Sequence, residues 1–229
     1  DLGMQKNAGR EAELLVWTDV NPAHEDDFNR WYDREHMAER VAIEGFRWAR
    51  RYRATNDSAR RYLALYRAAS VDTFTSASYK KAFEQQTDWS YRNFERMRNT
   101  KRRVSTLALE ASVGSGGAVA LITLTAGEID NAEVEPVLAE VVMLDGVFSA
   151  RAMEPDSGLS TPLPSEDLAT RKLEALILIE ASSSATATAA LSNTLETLGL
   201  PAERGMTFSL LWDLHADDLT AYTAKTTSA

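Results

Sequence analysis

The chain of 229 residues contains no cysteine and only three histidines. Without cysteine there is no disulfide, no thiolate metal site and no cysteine nucleophile. The lack of disulfides suits a reducing compartment, so we expect a cytoplasmic protein. The sequence also lacks an HExxH pattern, a cluster of aspartates, a phosphate-binding loop and a serine nucleophile elbow. We therefore expect no metal site and no bound cofactor.

Long apolar runs are missing too, since no segment approaches the roughly 20 apolar residues that a membrane-spanning helix needs. The first residues, DLGMQKNAGREAE, have no apolar core, so we expect no signal peptide. The 34 acidic residues exceed the 25 basic ones, and the formal charge of −9 would repel nucleic acid and anionic lipid. Neither a nucleic acid nor a membrane is expected as a partner.

What is present is one plan of strands and helices that occurs twice. Apolar and β-branched runs predict four strands in each half, and helical spacing of apolar residues predicts two helices between them. In the first half the strands are 13–20, 46–54, 60–68 and 101–111, with helices over 23–43 and 75–99. In the second half the strands are 118–126, 147–155, 172–181 and 205–214, with helices over 133–144 and 183–199.

This order, β-α-β-β-α-β in each half, predicts an α+β protein made of two fused ferredoxin-like repeats. The repeats span 13–111 and 118–215, and the small residues SVGSGG at 112–117 form a linker. Each four-stranded sheet has helices on one face only, so the two sheets can cover each other and close a barrel within one chain. The long loop at 155–171 could cover a barrel mouth.

The segment RWYDREHMAERVAIEGFRWARRYRA (30–54) carries the most unusual chemistry. On a helix, Phe28, Trp31, Glu35 and Glu39 fall within one stripe, and His36 flanks it. The stripe that should be apolar therefore becomes charged. One interpretation is structural, with solvated groups or a helix cap. The other places His36 in a cavity as a general acid or base, oriented by Glu35 or Glu39.

These residues also resemble a known family. DVNPAHEDDFNRWYDREHMAERVAIEGFRWARRYRA, followed by RYLALYRA, is similar to the EthD-like branch of the dimeric α/β-barrel superfamily. The resemblance covers about residues 13–110 and implies a cavity between sheet and helices. Members include isomerases, cyclases, cofactor-free monooxygenases and some haem proteins, and most build the barrel from two chains. Here only one half keeps the Glu-His pattern, which implies one site per chain.

Arginine and aromatic side chains in the first half are the other candidates. Arg50 and Arg51 face opposite ways on their strand, so at most one points into a barrel, where it would suit a carboxylate or enolate oxygen. Surface arginines that balance acidic residues are the plainer interpretation. Aromatic residues could line a substrate pocket or simply pack a core: Trp31, Tyr32, Trp48, Tyr52, Tyr62 and Tyr66.

The sequence thus predicts a cofactor-independent isomerase, lyase or cyclase that acts on an aromatic or oxygenated catabolic intermediate. His36 would be the acid or base, Glu35 or Glu39 its orienter, and Arg50 the partner of an oxyanion or carboxylate. Two alternatives are a non-catalytic ligand-binding or assembly module and a haem-dependent enzyme with a histidine as axial ligand. A small molecule is the expected partner, and a homodimer is left open.

Overall fold

The computed structural model describes residues 11–227, with side chains described as far as residue 221, and its eight strands close into one barrel. The strands are β1 (Ala12–Val20), β2 (Phe46–Ala54), β3 (Tyr62–Ala68), β4 (Met97–Ala111), β5 (Ala118–Leu124), β6 (Val147–Pro155), β7 (Ala175–Ala181) and β8 (Gly205–His215). Residues 1–10, which fall in the segment predicted to lack a signal peptide, lie outside the described residues.

The strand order shows how the two halves join. Around the barrel the order is β1-β3-β2-β8-β5-β7-β6-β4, and every neighbouring pair is antiparallel. Within each half the order is fourth, first, third, second, as in a ferredoxin-like unit. The pairs β2–β8 and β4–β6 connect the halves. The predicted closed barrel within one chain and the element order of each half are confirmed.

Helices cover the outside of both sheets. They are α1 (Glu25–Trp31), α2 (Met37–Val41), α3 (Ala77–Glu84), α4 (Asp88–Arg96), α5 (Asn131–Val141), α6 (Ser184–Leu198) and α7 (Ala216–Thr227). A π-helical turn, Tyr32–His36, lies between α1 and α2, where the N–H of Met37 donates to the carbonyl of Tyr32. The single helix predicted over 75–99 is wrong, because Thr87 caps a separate helix and β4 already begins at Met97.

The apolar residues form three separate cores. One lies between the first sheet and its helices, with Phe28, Trp31 and Tyr66. A second lies between the second sheet and α5 and α6, and is aliphatic. The third fills the barrel interior with side chains from both halves, among them Leu65 and Leu178. Because strand side chains alternate between two faces, each strand supplies both an outer and an inner layer.

The loop between β6 and β7 contacts β4 towards the end of the barrel where that strand begins. Arg103 points into the interior and donates to Glu166 of this loop at 2.6 Å, while the N–H of Val104 donates to Ser160 at 2.9 Å. Glu166 thus meets an inward side chain near this end of the barrel, while Leu159 and Leu163 of the same loop pack on the first outer core, and the predicted covering of a mouth by the whole loop stays a prediction. Within residues 11–227, every helix is too short or too polar to cross a bilayer.

Candidate active site

A cavity of about 590 Å³ opens at the other end of the barrel, and we call it the barrel-end cavity. It forms where β1, β2 and β6 begin and β3, β4 and β8 end. Its walls combine charged groups with the indole ring of Trp48. The lining residues are Glu11, Phe46, Arg47, Trp48, Arg50, Arg67, Glu110, Val113, Gly114, Ser149, Arg151, His215, Ala216 and Asp217.

Beneath the cavity lies a buried ionic cluster, the floor network, formed by Glu13, Arg50, Arg67, Arg151 and Glu180, of which none is more than 6% exposed. Glu180 Oε1 accepts hydrogen bonds from Arg50 Nη1 at 3.1 Å and from Arg151 Nη1 at 3.2 Å. Glu13 accepts from Arg151 Nε at 2.9 Å and from Arg67 Nε at 3.4 Å. The network therefore crosses the interior and ties the two halves together.

Charge pairing keeps Glu13 and Arg151 of the floor network ionised. Burial alone would raise the pKa of Glu13, but the guanidinium groups of Arg151 and Arg67 outweigh it and hold that pKa below its ordinary value. Burial would lower the pKa of Arg151, and here Glu13 and Glu180 outweigh it and raise the pKa. Burial, together with the charge of Glu180, raises the pKa of Tyr52 well above its ordinary value. Tyr52 is thus a neutral donor to Glu180.

The rim of the cavity carries a histidine held by a carboxylate. His215 Nε2 lies 3.1 Å from Asp213 Oδ1, and the other oxygen of Asp213 accepts from Ser115 at 3.0 Å. Asp213 also accepts from Arg50 Nε at 3.3 Å. The segment predicted as a linker, 112–117, thus contributes to the rim through Ser115 as well as Val113 and Gly114.

Three of the predicted site residues reach the barrel interior from β2. Trp48 and Arg50 line the cavity, and Tyr52 lies below it against Glu180. Arg51 projects to the other face, where Nη2 donates to Asn29 at 2.6 Å. Phe46 does not share the inner face as alternation predicts, because a shift in register between Phe46 and Trp48 turns its ring towards the first outer core.

His36 lies on the helix side of the sheet and not with Arg50. Its ring stacks on Trp31 at 4.1 Å between centroids and meets the edges of Tyr32 and Phe94. Its Nδ1 is buried without a hydrogen-bond partner, and His36 does not line the barrel-end cavity. Burial, followed by the charges of Arg40 and Arg51, lowers its pKa well below the ordinary value. The predicted convergence of His36 and Arg50 is therefore wrong.

Most of the other predicted site residues lie, like His36, on the helix side of the first sheet. Glu35 accepts from Thr87 at 2.8 Å, and Glu39 is exposed on the helix. Neither carboxylate bonds to the imidazole. Tyr62 and Tyr66 point into the first outer core with Trp31 and Tyr32, so the predicted aromatic pocket is divided by the sheet. The rings of Trp31, Tyr32, Tyr62 and Tyr66 pack a core, while Trp48 alone among the predicted aromatic residues lines the cavity.

Sequence reasoning missed most of the floor network. Arg67 and Glu180 are each the one charged residue of an otherwise mainly apolar strand, as in ILIEA, while Glu13 and Arg151 share their strands with one further acidic residue near the strand end. A charged residue is almost never fully buried unless it is paired. Isolated charges at inward positions of four strands were therefore a signal that they meet in the interior. The second half, which lacks the Glu-His pattern, supplies two of them, Arg151 and Glu180.

Within the described part of the chain, no three histidine, aspartate or glutamate side chains come together as a metal site would require.

Comparison with known proteins gives structural neighbours only. No protein-family model and no curated protein sequence matches the chain. An anthrone oxidase-like protein is 11% identical, with a TM-score of 0.62, and the match covers 93% of this chain and 97% of that one. A candidate monooxygenase from Fusobacterium nucleatum is 7% identical, with a TM-score of 0.58 and coverages of 91% and 95%. A haem-binding protein from Thermus thermophilus is 11% identical, with a TM-score of 0.53 and coverages of 96% and 96%.

The chain has the dimeric α/β-barrel fold. TM-scores of 0.53 to 0.62 show this fold, while identities of 7% to 11% show nothing finer, so the EthD-like branch stays a prediction. The expected cofactor-independent isomerase, lyase or cyclase is wrong. The neighbours are described as an anthrone oxidase-like protein, a candidate monooxygenase and a haem-binding protein, and these descriptions agree better with the predicted haem-dependent alternative than with an isomerase, lyase or cyclase. The geometry agrees, because His36 was to transfer the proton and is packed away from the cavity.

Proposed function

We propose that this chain is an oxidoreductase, of the oxidase or monooxygenase type, that oxidises a small organic molecule in the barrel-end cavity. The observation that carries the proposal is the cavity, about 590 Å³ in volume, with cationic and aromatic walls in one end of the barrel. This volume lies in the range of small-molecule sites. Support comes from the fold, which an anthrone oxidase-like protein and a candidate monooxygenase share.

The cavity residues suit such a reaction in three ways. Trp48 offers an aromatic surface to the carbon skeleton of a substrate. The arginines of the floor network can stabilise negative charge on a substrate oxygen once a proton is lost. His215, oriented by Asp213 at 3.1 Å, stands at the rim as the proton acceptor. In the simplest such oxidation, a CH₂ group beside an aromatic ring becomes a carbonyl, and dioxygen supplies one atom to the product and one to water.

Haem, the group bound by the Thermus thermophilus neighbour, does not fit the described residues. Haem needs a ligand atom that faces an open apolar slot. His36 is enclosed by Trp31, Tyr32 and Phe94, and the outer core of the second half is aliphatic. His24 is exposed on the surface, and His215 sits among salt bridges with Nε2 held by Asp213. Haem therefore has no part in the proposed reaction.

The test uses anthrone as the probe substrate, with oxygen uptake and anthraquinone absorbance as readouts. We expect uptake above that of heat-denatured protein. Val113→Trp should reduce it at least about 10-fold, because Val113 lines the cavity and is 84% exposed, so a larger ring can block the mouth without disturbing the core. Leu168→Trp, at a 65% exposed position outside the cavity, is the matched control.

Two outcomes would contradict the proposal. Equal oxygen uptake by Val113→Trp and Leu168→Trp would show that the reaction does not take place in the barrel-end cavity. If the protein supports no more oxygen uptake than the denatured control, with anthrone and with a panel of phenols, the oxidative assignment itself fails.

A further inference from the structure

Two arginines of the floor network keep hydrogen-bond donors that the protein does not use. Arg151 gives Nε to Glu13 and Nη1 to Glu180, while its Nη2 is buried without a partner. Arg50 likewise donates through Nε to Asp213 and through Nη1 to Glu180, and makes no hydrogen bond through Nη2. A buried donor without a partner is costly, so a group outside the chain is the natural acceptor for Arg151.

These spare donors are confined to one place. The third arginine of the network, Arg67, is fully engaged, since its three nitrogens donate to Glu13, Glu11 and Glu110. Arg50 and Arg151 instead share the same oxygen of Glu180, so their guanidinium groups are neighbours. Both also flank Trp48, with Cζ of Arg50 at 3.9 Å and Cζ of Arg151 at 5.7 Å from the ring centroid.

We propose that Arg151 and Arg50 form a carboxylate-binding subsite, which selects substrates with a carboxylate on an aromatic or similarly flat skeleton. This inference deepens the proposed function, since it names the substrate class of the same cavity. Guanidinium groups match the two oxygens of a carboxylate, and Trp48 lies beside them for an attached ring.

Charge in the cavity walls favours a monoanion. Four arginines line the cavity, but so do Glu11, Glu110 and Asp217, and the floor adds Glu13 and Glu180. Each extra negative charge on a ligand is therefore repelled by nearby carboxylates. A single carboxylate accepts from the spare donors with the least electrostatic repulsion, whereas a phosphate dianion is repelled more strongly by the nearby carboxylates.

The test is direct binding by calorimetry of benzoate, benzamide and inorganic phosphate to the full chain. Benzamide has the shape of benzoate without its charge. We expect saturable binding of benzoate, with benzamide and phosphate each at least roughly 10-fold weaker, as the loss of one charge-assisted hydrogen bond implies. These measurements need no variant and stand even if a substitution at a buried site prevents folding.

A pair of matched variants then locates the subsite. Arg151→Lys keeps a cation near Glu13 and Glu180 but removes Nη2, and should weaken benzoate at least roughly 10-fold. Arg103→Lys makes the same change at another arginine that is 1% exposed, outside the cavity, and should leave benzoate affinity unchanged. Thermal melts of both variants report whether each is folded.

The proposal is overturned if benzoate does not bind, if benzamide or phosphate binds as tightly, or if the two variants bind benzoate equally. Its failure is distinct from that of the proposed function. Suppose that the wild-type chain binds benzoate, that Arg151→Lys does not, and that the wild-type chain shows no oxygen uptake. This result would support the subsite and contradict only the oxidation. Oxygen uptake with neutral substrates, in a protein that does not bind benzoate, would contradict the subsite and support only the oxidation.

Discussion

At the residue scale, His36 makes the stability of the fold depend on pH. Its pKa in the folded state lies well below the ordinary value, first because of burial and then because of Arg40 and Arg51. In the unfolded chain it titrates near pH 6.5. Below that pH the unfolded state binds more protons than the folded state, so acid lowers the free energy of unfolding, by at most about 1.4 kcal/mol per pH unit for this group.

We therefore expect His36→Leu to flatten the decline in stability between pH 7 and pH 5. At pH 7 the change should be small, because the lost stacking on Trp31 is offset by removal of a buried nitrogen without a partner. Urea unfolding at several pH values measures both effects. His24→Leu, at an exposed site, should follow the wild-type curve. Parallel curves for His36→Leu and wild type would contradict this explanation.

The position of Arg50 could be predicted from the sequence, but that of His36 could not. Alternation along β2 is a local rule, and it correctly separates Arg50 from Arg51. His36 depends on a π-helical turn and on α4, which places Phe94 against the ring. Arg151 and Glu180 meet Arg50 only once strands 130 residues apart in sequence have closed the barrel. Contacts of that range leave no periodic signal in the sequence.

At the element scale, one glycine turn recurs at the same place in each half. Gly45 precedes β2 with φ of +99°, and Gly146 precedes β6 with φ of +78°. The carbonyl of Gly45 accepts from the N–H of Ala69 at 2.8 Å, and that of Gly146 accepts from the N–H of Ser182 at 2.8 Å. Each turn therefore fastens the start of one strand to the end of its hairpin partner. In the sequence this turn lies within two similar segments, EGFRWARRY (44–52) and DGVFSARAM (145–153).

We expect Gly45→Ala to destabilise the fold more than Gly127→Ala. Both glycines have positive φ, so both substitutions incur backbone strain of roughly 1 kcal/mol or more. At Gly45 a Cβ would also lie 2.5 Å from Thr73 Oγ1, whereas at Gly127 no atom lies within 4 Å. Chemical denaturation should show that Gly45→Ala lowers the free energy of unfolding by at least about 1 kcal/mol more than Gly127→Ala does.

A double substitution checks the cause. In a Thr73→Ala background the two closest atoms are gone and Cβ remains at 3.3 Å, so the cost of Gly45→Ala in free energy of unfolding should fall close to that of Gly127→Ala. If the cost is unchanged in that background, backbone strain alone accounts for it and the steric explanation fails.

At the scale of the whole molecule, the two halves depend on each other. The interior core takes Leu15, Leu63 and Leu107 from the first half and Leu121 and Phe208 from the second. Separating the halves would expose this apolar layer and break the β2–β8 and β4–β6 pairs. It would also leave buried charges without partners, since Glu13 and Glu180 lie in different halves and both bind Arg151. The predicted repeats 13–111 and 118–215 thus share one interior.

We accordingly expect the whole protein to unfold in one cooperative transition. Glu180→Gln should move this single transition to lower stability without splitting it. Loss of this carboxylate leaves Arg50 and Arg151 short of a counter-charge, at a cost of roughly 3 kcal/mol or more. Tryptophan fluorescence reports mainly on the first half, where four of the five tryptophans lie, and hydrogen exchange of α6 reports on the second. The unfolding midpoints measured by the two probes should coincide in wild type and move together in Glu180→Gln. The control Glu203→Gln, at an exposed site, should leave both midpoints unchanged. Midpoints that separate, with α6 opening while the fluorescence stays native, would show that each half is stable without the other.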